Sequence, residues 1–247
     1  MALCSDAAMM LFYDFEGDTT DHDDWHSYEH FHERLSVPGF LRASRWIATA
    51  GAPKYMVMYE VDGVEVATSE AYLDRLNNPT EWTSEVMPRL HGMTRGFCHV
   101  SSSSGFGLGN AAAVFRFRPT DGGEERLKRW LALDVLPAIA SRRGIVGAHF
   151  MQPAAAPPMT LEQELRGRDA AMSWLVMAMA YDIGALEQAV SAHFDPQQLQ
   201  NQGAADDLNF SSYALHYTAT MEEVARTAPF PVLTARQRRG DGSGPRR

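Results

Sequence analysis

The sequence predicts an α+β fold made of two tandem βαββαβ units whose sheets pack face to face. Three observations carry this. The chain repeats itself: a shift of 105 positions places Trp25 on Trp130, Glu29 on Asp134, Gly39 on Gly144 and Ala43 on Ala148. In each half a strand-like apolar run precedes a helical one, and the order then continues as two strands, a helix and a last strand. A split-βαβ unit of this kind has helices on one face of its antiparallel sheet only, so the bare face needs a cover, and a second copy supplies it. The expected architecture is therefore two tandem ferredoxin-like (βαββαβ) repeats packed sheet to sheet as a pseudo-dimeric α+β barrel.

Residues 9–15 read as the first strand. A helix follows over 21–35, with Thr20 as its N-cap, Asp21, Asp23 and Asp24 in its first turn, and Pro38-Gly39 as its stop. The third strand covers 54–62, a helix over 69–76 continues through Trp82, and the half closes on a strand at 96–100. After the Gly/Ser-rich stretch 101–109, the segments 113–118, 123–141, 172–182, 183–194 and 212–218 repeat the pattern. At the third strand the shift is 120, because the loop 153–169 is longer in the second half, and at the last strand it is 117, which aligns His99 with His216. The expected division is a first repeat over 1–100 that forms the active half, a linker over 101–110, a second repeat over 111–225, and a flexible tail over 226–247 that holds Arg236, Arg238, Arg239, Arg246 and Arg247.

Composition narrows the class. With 247 residues, 45% hydrophobic and 21% charged, the chain can bury a sizeable core. Its longest apolar run, 174–181, is far short of the ~20 residues that cross a bilayer, and the first residues show no export signal, so the expected location is cytoplasmic. A net charge of −9 repels phosphate backbones and anionic lipid, which argues against nucleic acid or a membrane as partner. Cys4 and Cys98 are too few for a disulfide framework or a thiolate metal site. Tandem copies can satisfy each other as a monomer, while outer sheet edges leave room for a homodimer.

The segments Trp25-His-Ser-Tyr-Glu-His30-Phe-His-Glu33-Arg-Leu35, Val37 to Trp46, Tyr55-Met-Val-Met-Tyr-Glu60 and Asn78-Pro-Thr-Glu-Trp-Thr83 resemble the EthD-like group of dimeric α+β barrel proteins. The resemblance covers about residues 9–100 and is weaker in the second half, which lacks the Glu-His pair and the Asn-Pro-Thr segment. It implies a small cytoplasmic protein that handles aromatic, phenolic or polyketide-like compounds, among isomerases, lyases, decarboxylating enzymes and cofactor-free oxygenases. It also implies that His30 is the recurring polar residue near the cleft, because Trp25, Glu29, Glu33, Pro38 and Gly39 match around it. At His32 the family pattern has proline, so this sequence departs there.

Helical spacing places Trp25, Tyr28, His32 and Leu35 on one side of the first helix and His22, His26, Glu29 and Glu33 in a polar stripe, with His30 at its edge. The stripe reads either as a solvated face with i,i+4 pairs or as an acid–base site, histidine being the side chain that titrates near neutrality. His22, His26 and His30, or the first two with Glu29, could instead ligate a divalent metal, although the His-Glu-x-x-His signature is absent. His99, His149 and His216 lie on strands that form the barrel, where each can face the cavity or serve structure. Tyr59 and Tyr13 can bind a phenolate or carbonyl oxygen, and of Arg42 and Arg45, on opposite strand faces, only one can reach a pocket.

The expected site is an apolar chamber between the two sheets. Its catalytic set is His30, His26, Tyr59 and His99, and its substrate contacts are Trp25, Arg45, Tyr13, His149 and His216. The expected activity is that of a lyase or isomerase: proton abstraction from an aromatic or conjugated small molecule, leading to elimination, decarboxylation or retro-aldol cleavage, with no bound cofactor or metal required. Two alternatives remain: a haem- or metal-dependent oxidoreductase with His193 or His216 as axial ligand, and a non-catalytic accessory protein that binds a reactive intermediate. The run Gly105-Phe-Gly-Leu-Gly109 leads into a strand, so it has no helix N-terminus with which to cradle phosphate.

Overall fold

The computed structural model describes residues 3–227. The expected tail lies outside the described residues except for Arg226 and Thr227. The first repeat runs β1 (Ala7–Phe15), α1 (Thr19–Trp25), a π turn (His26–His30), α2 (Phe31–Leu35), β2 (Phe40–Ala50), β3 (Tyr55–Val61), α3 (Glu70–Asn77), α4 (Glu81–Val86) and β4 (Leu90–Gly105). The second runs β5 (Ala111–Phe117), α5 (Glu124–Trp130), a π turn (Leu131–Val135), α6 (Leu136–Ala140), β6 (Ile145–Pro153), α7 (Leu161–Arg166), β7 (Ala170–Ala171), β8 (Trp174–Ala180), α8 (Ile183–His193), α9 (Pro196–Asn201) and β9 (Asn209–Thr220). A last helix, α10 (Met221–Arg226), follows. Among the described residues no helix is long and apolar enough to cross a membrane.

The sheet closes on itself in the order β1-β3-β2-β9-β5-β8-β6-β4, with β4 returning to β1 and β7 added beside β4. Each repeat's long last strand spans the seam: β4 pairs with β1 and then with β6, and β9 with β5 and β2. Residues 101–105, expected in the linker, are therefore strand that stitches the two copies together.

Strand alternation sorts side chains into two layers. Met10, Phe12, Trp46, Met58, Met177 and Met179 point inward, where with Tyr213 and Leu175 they form one fully buried cluster. The expected ligand chamber between the sheets is thus a solid core, because flexible methionines and large aromatics fill it from both sides. Outside, the first sheet packs Met9, Tyr13, Tyr55, Val57 and Tyr59 against the α1–α4 layer, and the second packs Ala113, Phe117, Val176 and Ala178 against α5–α8.

Register corrects two alignments. Tyr59 opposes Met9 and Ala43, while Ala178 opposes Ala113 and Ala148, so the partner of Tyr59 in the second copy is Ala178. A shift of 120 would match it to Met179, which faces the opposite layer. Likewise Arg95 opposes Leu11 as Phe210 opposes Phe115, which separates His99 from His216. The 105 shift holds through the helices and their exits. Gly39 and Gly144 both adopt left-handed φ, +94° and +90°, and a Cβ there would meet Val66 and Ala185 at 2.6 and 2.5 Å.

Candidate active site

The first helix is built around its π turn. The amide of Phe31 donates to the His26 carbonyl, an i→i+5 bond that widens one turn. Residues four apart then stay on one face, and His22, His26, His30 and Arg34 all turn inward with Trp25 and Phe31. This corrects the α-helical wheel: the histidines of the supposed polar stripe are buried, Glu29 and Glu33 are half-buried, and Tyr28 is 39% exposed. Asp18, not Thr20, caps the helix, accepting from the Thr20 amide.

These side chains line a small cavity of about 30 Å³ between the helices and the outer face of the first sheet. Trp25, His26, His30, Tyr13 and Tyr59 line it, together with Arg34, Tyr72 and Arg95. The Trp25 ring lies 4.3 Å from that of His30 and stacks on His26 at 5.2 Å, and its indole N–H donates to Thr83 Oγ1 at 3.1 Å. His26 Nε2 meets the Tyr59 hydroxyl at 3.3 Å, and His22 Nε2 meets that of Tyr13 at 3.0 Å. The Nδ1 atoms of His26 and His30 have no hydrogen-bond partner; Glu33 Oε2 stands 3.7 Å from that of His30.

Electrostatics keep the pair neutral. Burial pushes both imidazoles well below the usual histidine range, helped by the charge of Arg45 for His26 and of Arg34 for His30. His22 is lowered less, because burial is opposed by its bond to Asp23. Burial also raises the Tyr59 and Tyr13 hydroxyls, so both are protonated donors at neutral pH. The result is a buried site with two neutral imidazoles and phenolic donors beside them.

The second copy completes this site. Its long 153–169 loop folds as α7 across the first repeat, where Glu162 binds Arg34 with both oxygens 2.6 Å from Nη2, and Asp169 binds Arg166 at 2.8 Å and Arg95 at 3.3 Å. Arg34, Glu162, Arg166 and Arg95 were not among the sequence candidates. The signals available were the extra loop length and the place of Arg34 four residues after His30.

Other candidates lie elsewhere. His99 is exposed on β4: alternation puts it on the outer face with Phe97, opposite Ala7, and not inside the barrel with Cys98 and Val100. His149 sits inside the barrel, paired with Met177 and bonded to Ser103 at 2.5 Å, where burial lowers its pKa to about 4; the sheet separates it from His30. Arg45 faces the helix layer but lines a neighbouring groove of about 890 Å³ with Asp23, His216 and Tyr217 rather than the small cavity. There it donates to the Asp23 carbonyl and to His216 Nδ1. Arg42 takes the opposite face and pairs with Glu60. His193 Nε2 accepts from Arg142 on the surface. Since His22 turns to Tyr13 and Asp23 while His26 turns to Tyr59, the histidine stripe does not converge, and among the described residues no three His, Cys, Asp or Glu are grouped to hold a metal.

Comparison with known proteins bears on the fold. No family model matches the chain, and no curated protein matches it. Similar solved structures include an anthrone oxidase-like protein, with TM-score 0.60 and 9% identity over 88% of this chain and 94% of that one. A putative monooxygenase from Lactobacillus acidophilus gives TM-score 0.57 and 11% identity over 87% and 96%. Another from Fusobacterium nucleatum gives 0.54 and 9% over 88% and 96%. The fold is that of the dimeric α+β barrel proteins, with both copies on one chain. Identities this low speak to architecture alone.

Proposed function

We propose that this protein is an enzyme of the EthD-like type that takes a proton from an aromatic or otherwise conjugated small molecule, with His30 as general base and His26 and Tyr59 orienting the acceptor oxygen. The reaction that follows is elimination, decarboxylation, retro-aldol cleavage or isomerisation. One observation supports this most: two buried imidazoles, kept uncharged, line one small cavity, with no hydrogen bond at Nδ1 of either and only Glu33 3.7 Å from that of His30. Buried histidines kept for structure alone are normally satisfied at both nitrogens. Trp25 supplies the flat wall that a conjugated substrate requires. At about 30 Å³ the cavity has room for a water or two, so accommodating a substrate requires α7 or the helix layer to move. The test is solvent-deuterium incorporation at the acidic carbon of conjugated ketones and phenols. Wild type is expected to exchange them, and His30→Ala to slow exchange by about 10²–10⁴-fold. Wild-type rates in His30→Ala would remove the assigned base.

A second reading draws on the descriptions of the similar structures, an anthrone oxidase-like protein and putative monooxygenases. The carbanion left by proton removal passes electrons to dioxygen; for anthrone, one oxygen atom enters the ring carbon as a carbonyl and the other leaves as water. Oxygen uptake equal to anthrone consumed would favour it. Unchanged turnover without air would favour the lyase or isomerase reading.

A further inference from the structure

We infer that the cavity beneath His30 receives the oxyanion of a conjugated ligand, a phenolate, enolate or carboxylate oxygen, on the free Nη1 of Arg34. The inference deepens the reading above and names the group that takes up the charge which proton removal creates.

Arg34 is 2% exposed and lines the cavity. Its Nη2 alone serves both oxygens of Glu162, while Nη1 has no partner at all. Guanidinium donors buried to this degree are ordinarily paired, and a planar fork with one prong occupied is the arrangement that receives a second oxygen acceptor. Charge points the same way. Asp169 is shared between Arg95 and Arg166, and Glu33, beside His30, lies 4.0 Å from Arg75, so the carboxylates around Arg34 are fewer than the guanidiniums.

The cavity accepts an oxygen and the carbon that bears it, and the apolar side chains of Met9, Leu76 and Met87 stand where a ring would follow once α7 gives way. Glu162 comes from the second repeat, so the copy without the histidines holds the anion-binding group in place. Burial opposes the charge on Arg34, but Glu162 more than offsets this and keeps it a guanidinium. The second repeat has Ile139 at the matching position and can offer no such donor.

The probe is 4-nitrophenol in buffer acid enough to keep the free compound protonated. Wild type is expected to bind it as the yellow phenolate. Arg34→Met combined with Glu162→Gln removes both buried charges together, so the fold is not left with an orphaned ion. This double variant is expected to melt as wild type does and to lose the phenolate band by at least about tenfold. A band that persists in the double variant, or a wild type that takes up the probe only as neutral phenol or not at all, overturns the inference. If the double variant keeps the band while His30→Ala abolishes exchange, the anion site fails and the base assignment stands. If the double variant loses the band while His30→Ala exchanges normally, the reverse holds.

Discussion

The two repeats share one backbone and differ in what they place beneath the first helix. Each helix carries a π turn at the same point of the 105-residue register, His26–His30 in one and Leu131–Val135 in the other. In the first copy the inward positions hold His26, His30 and Arg34; in the second, Leu131, Val135 and Ile139 close into an ordinary core with Phe117 and Ala178. The π turn thus belongs to the fold, and the buried polar group belongs to the residues set upon it in one copy. The contrast also shows that a copy without a site is not idle, since its β6–β8 connection supplies α7 with Glu162 and Arg166.

The most severe way to break the contrast is to make the first copy like the second. His26→Leu with His30→Val should cost at least about 10²-fold in deuterium exchange. Thermal melting should show little change, because removing two buried nitrogens without partners offsets the contact that the Tyr59 hydroxyl loses with His26. A large drop in melting temperature would mean that the imidazoles hold the fold.

Next comes the bridge between copies. Glu162→Ala leaves the Arg34 guanidinium buried and unpaired, and urea unfolding should show about 3–5 kcal/mol of destabilisation. Combining it with Arg34→Met should recover most of that.

The pH dependence separates the copies further. Because His26 and His30 have folded pKa values below the ordinary 6.5, the unfolded chain binds more protons as pH falls beneath that value. Their contribution is therefore fully present above about 6.5 and is lost on acidification, by up to about 1.4 kcal/mol per pH unit for each. Urea unfolding from pH 7 to pH 5 should show this slope in wild type, and a shallower one in the Leu/Val variant, where only His22 and His149 remain as buried histidines with lowered values. Equal slopes would count against neutral burial of the pair.

The smallest effect is expected in the second copy. Ile139→Val should cost about 0.5–1.5 kcal/mol and leave exchange at the first site unchanged. A change in rate there would reveal coupling between the two helix layers.

Much of the fold was legible in the sequence because period and repetition survive on the surface of the text. Trp25 and Trp130, Gly39 and Gly144, and the alternating methionine strands carry the tandem βαββαβ order without help from tertiary contacts. His26, His30, Trp25, Tyr13 and Tyr59 were also legible as a group, since they fall on neighbouring elements of one repeat. The α-helical wheel misjudged His22 and His26, whose polar type reads as solvent-facing although the sheet covers them, and the single i→i+5 turn that keeps His30 and Arg34 on that face leaves no mark in composition. Only the folded chain decided that the barrel interior is solid and the cavity lies outside it, beneath the helices. Only the folded chain brought Glu162 to Arg34 across 128 positions. Local periodicity records which side of an element is apolar, but two apolar faces look alike in one dimension, and which of them closes and which keeps a space is settled by the side chains that arrive from elsewhere.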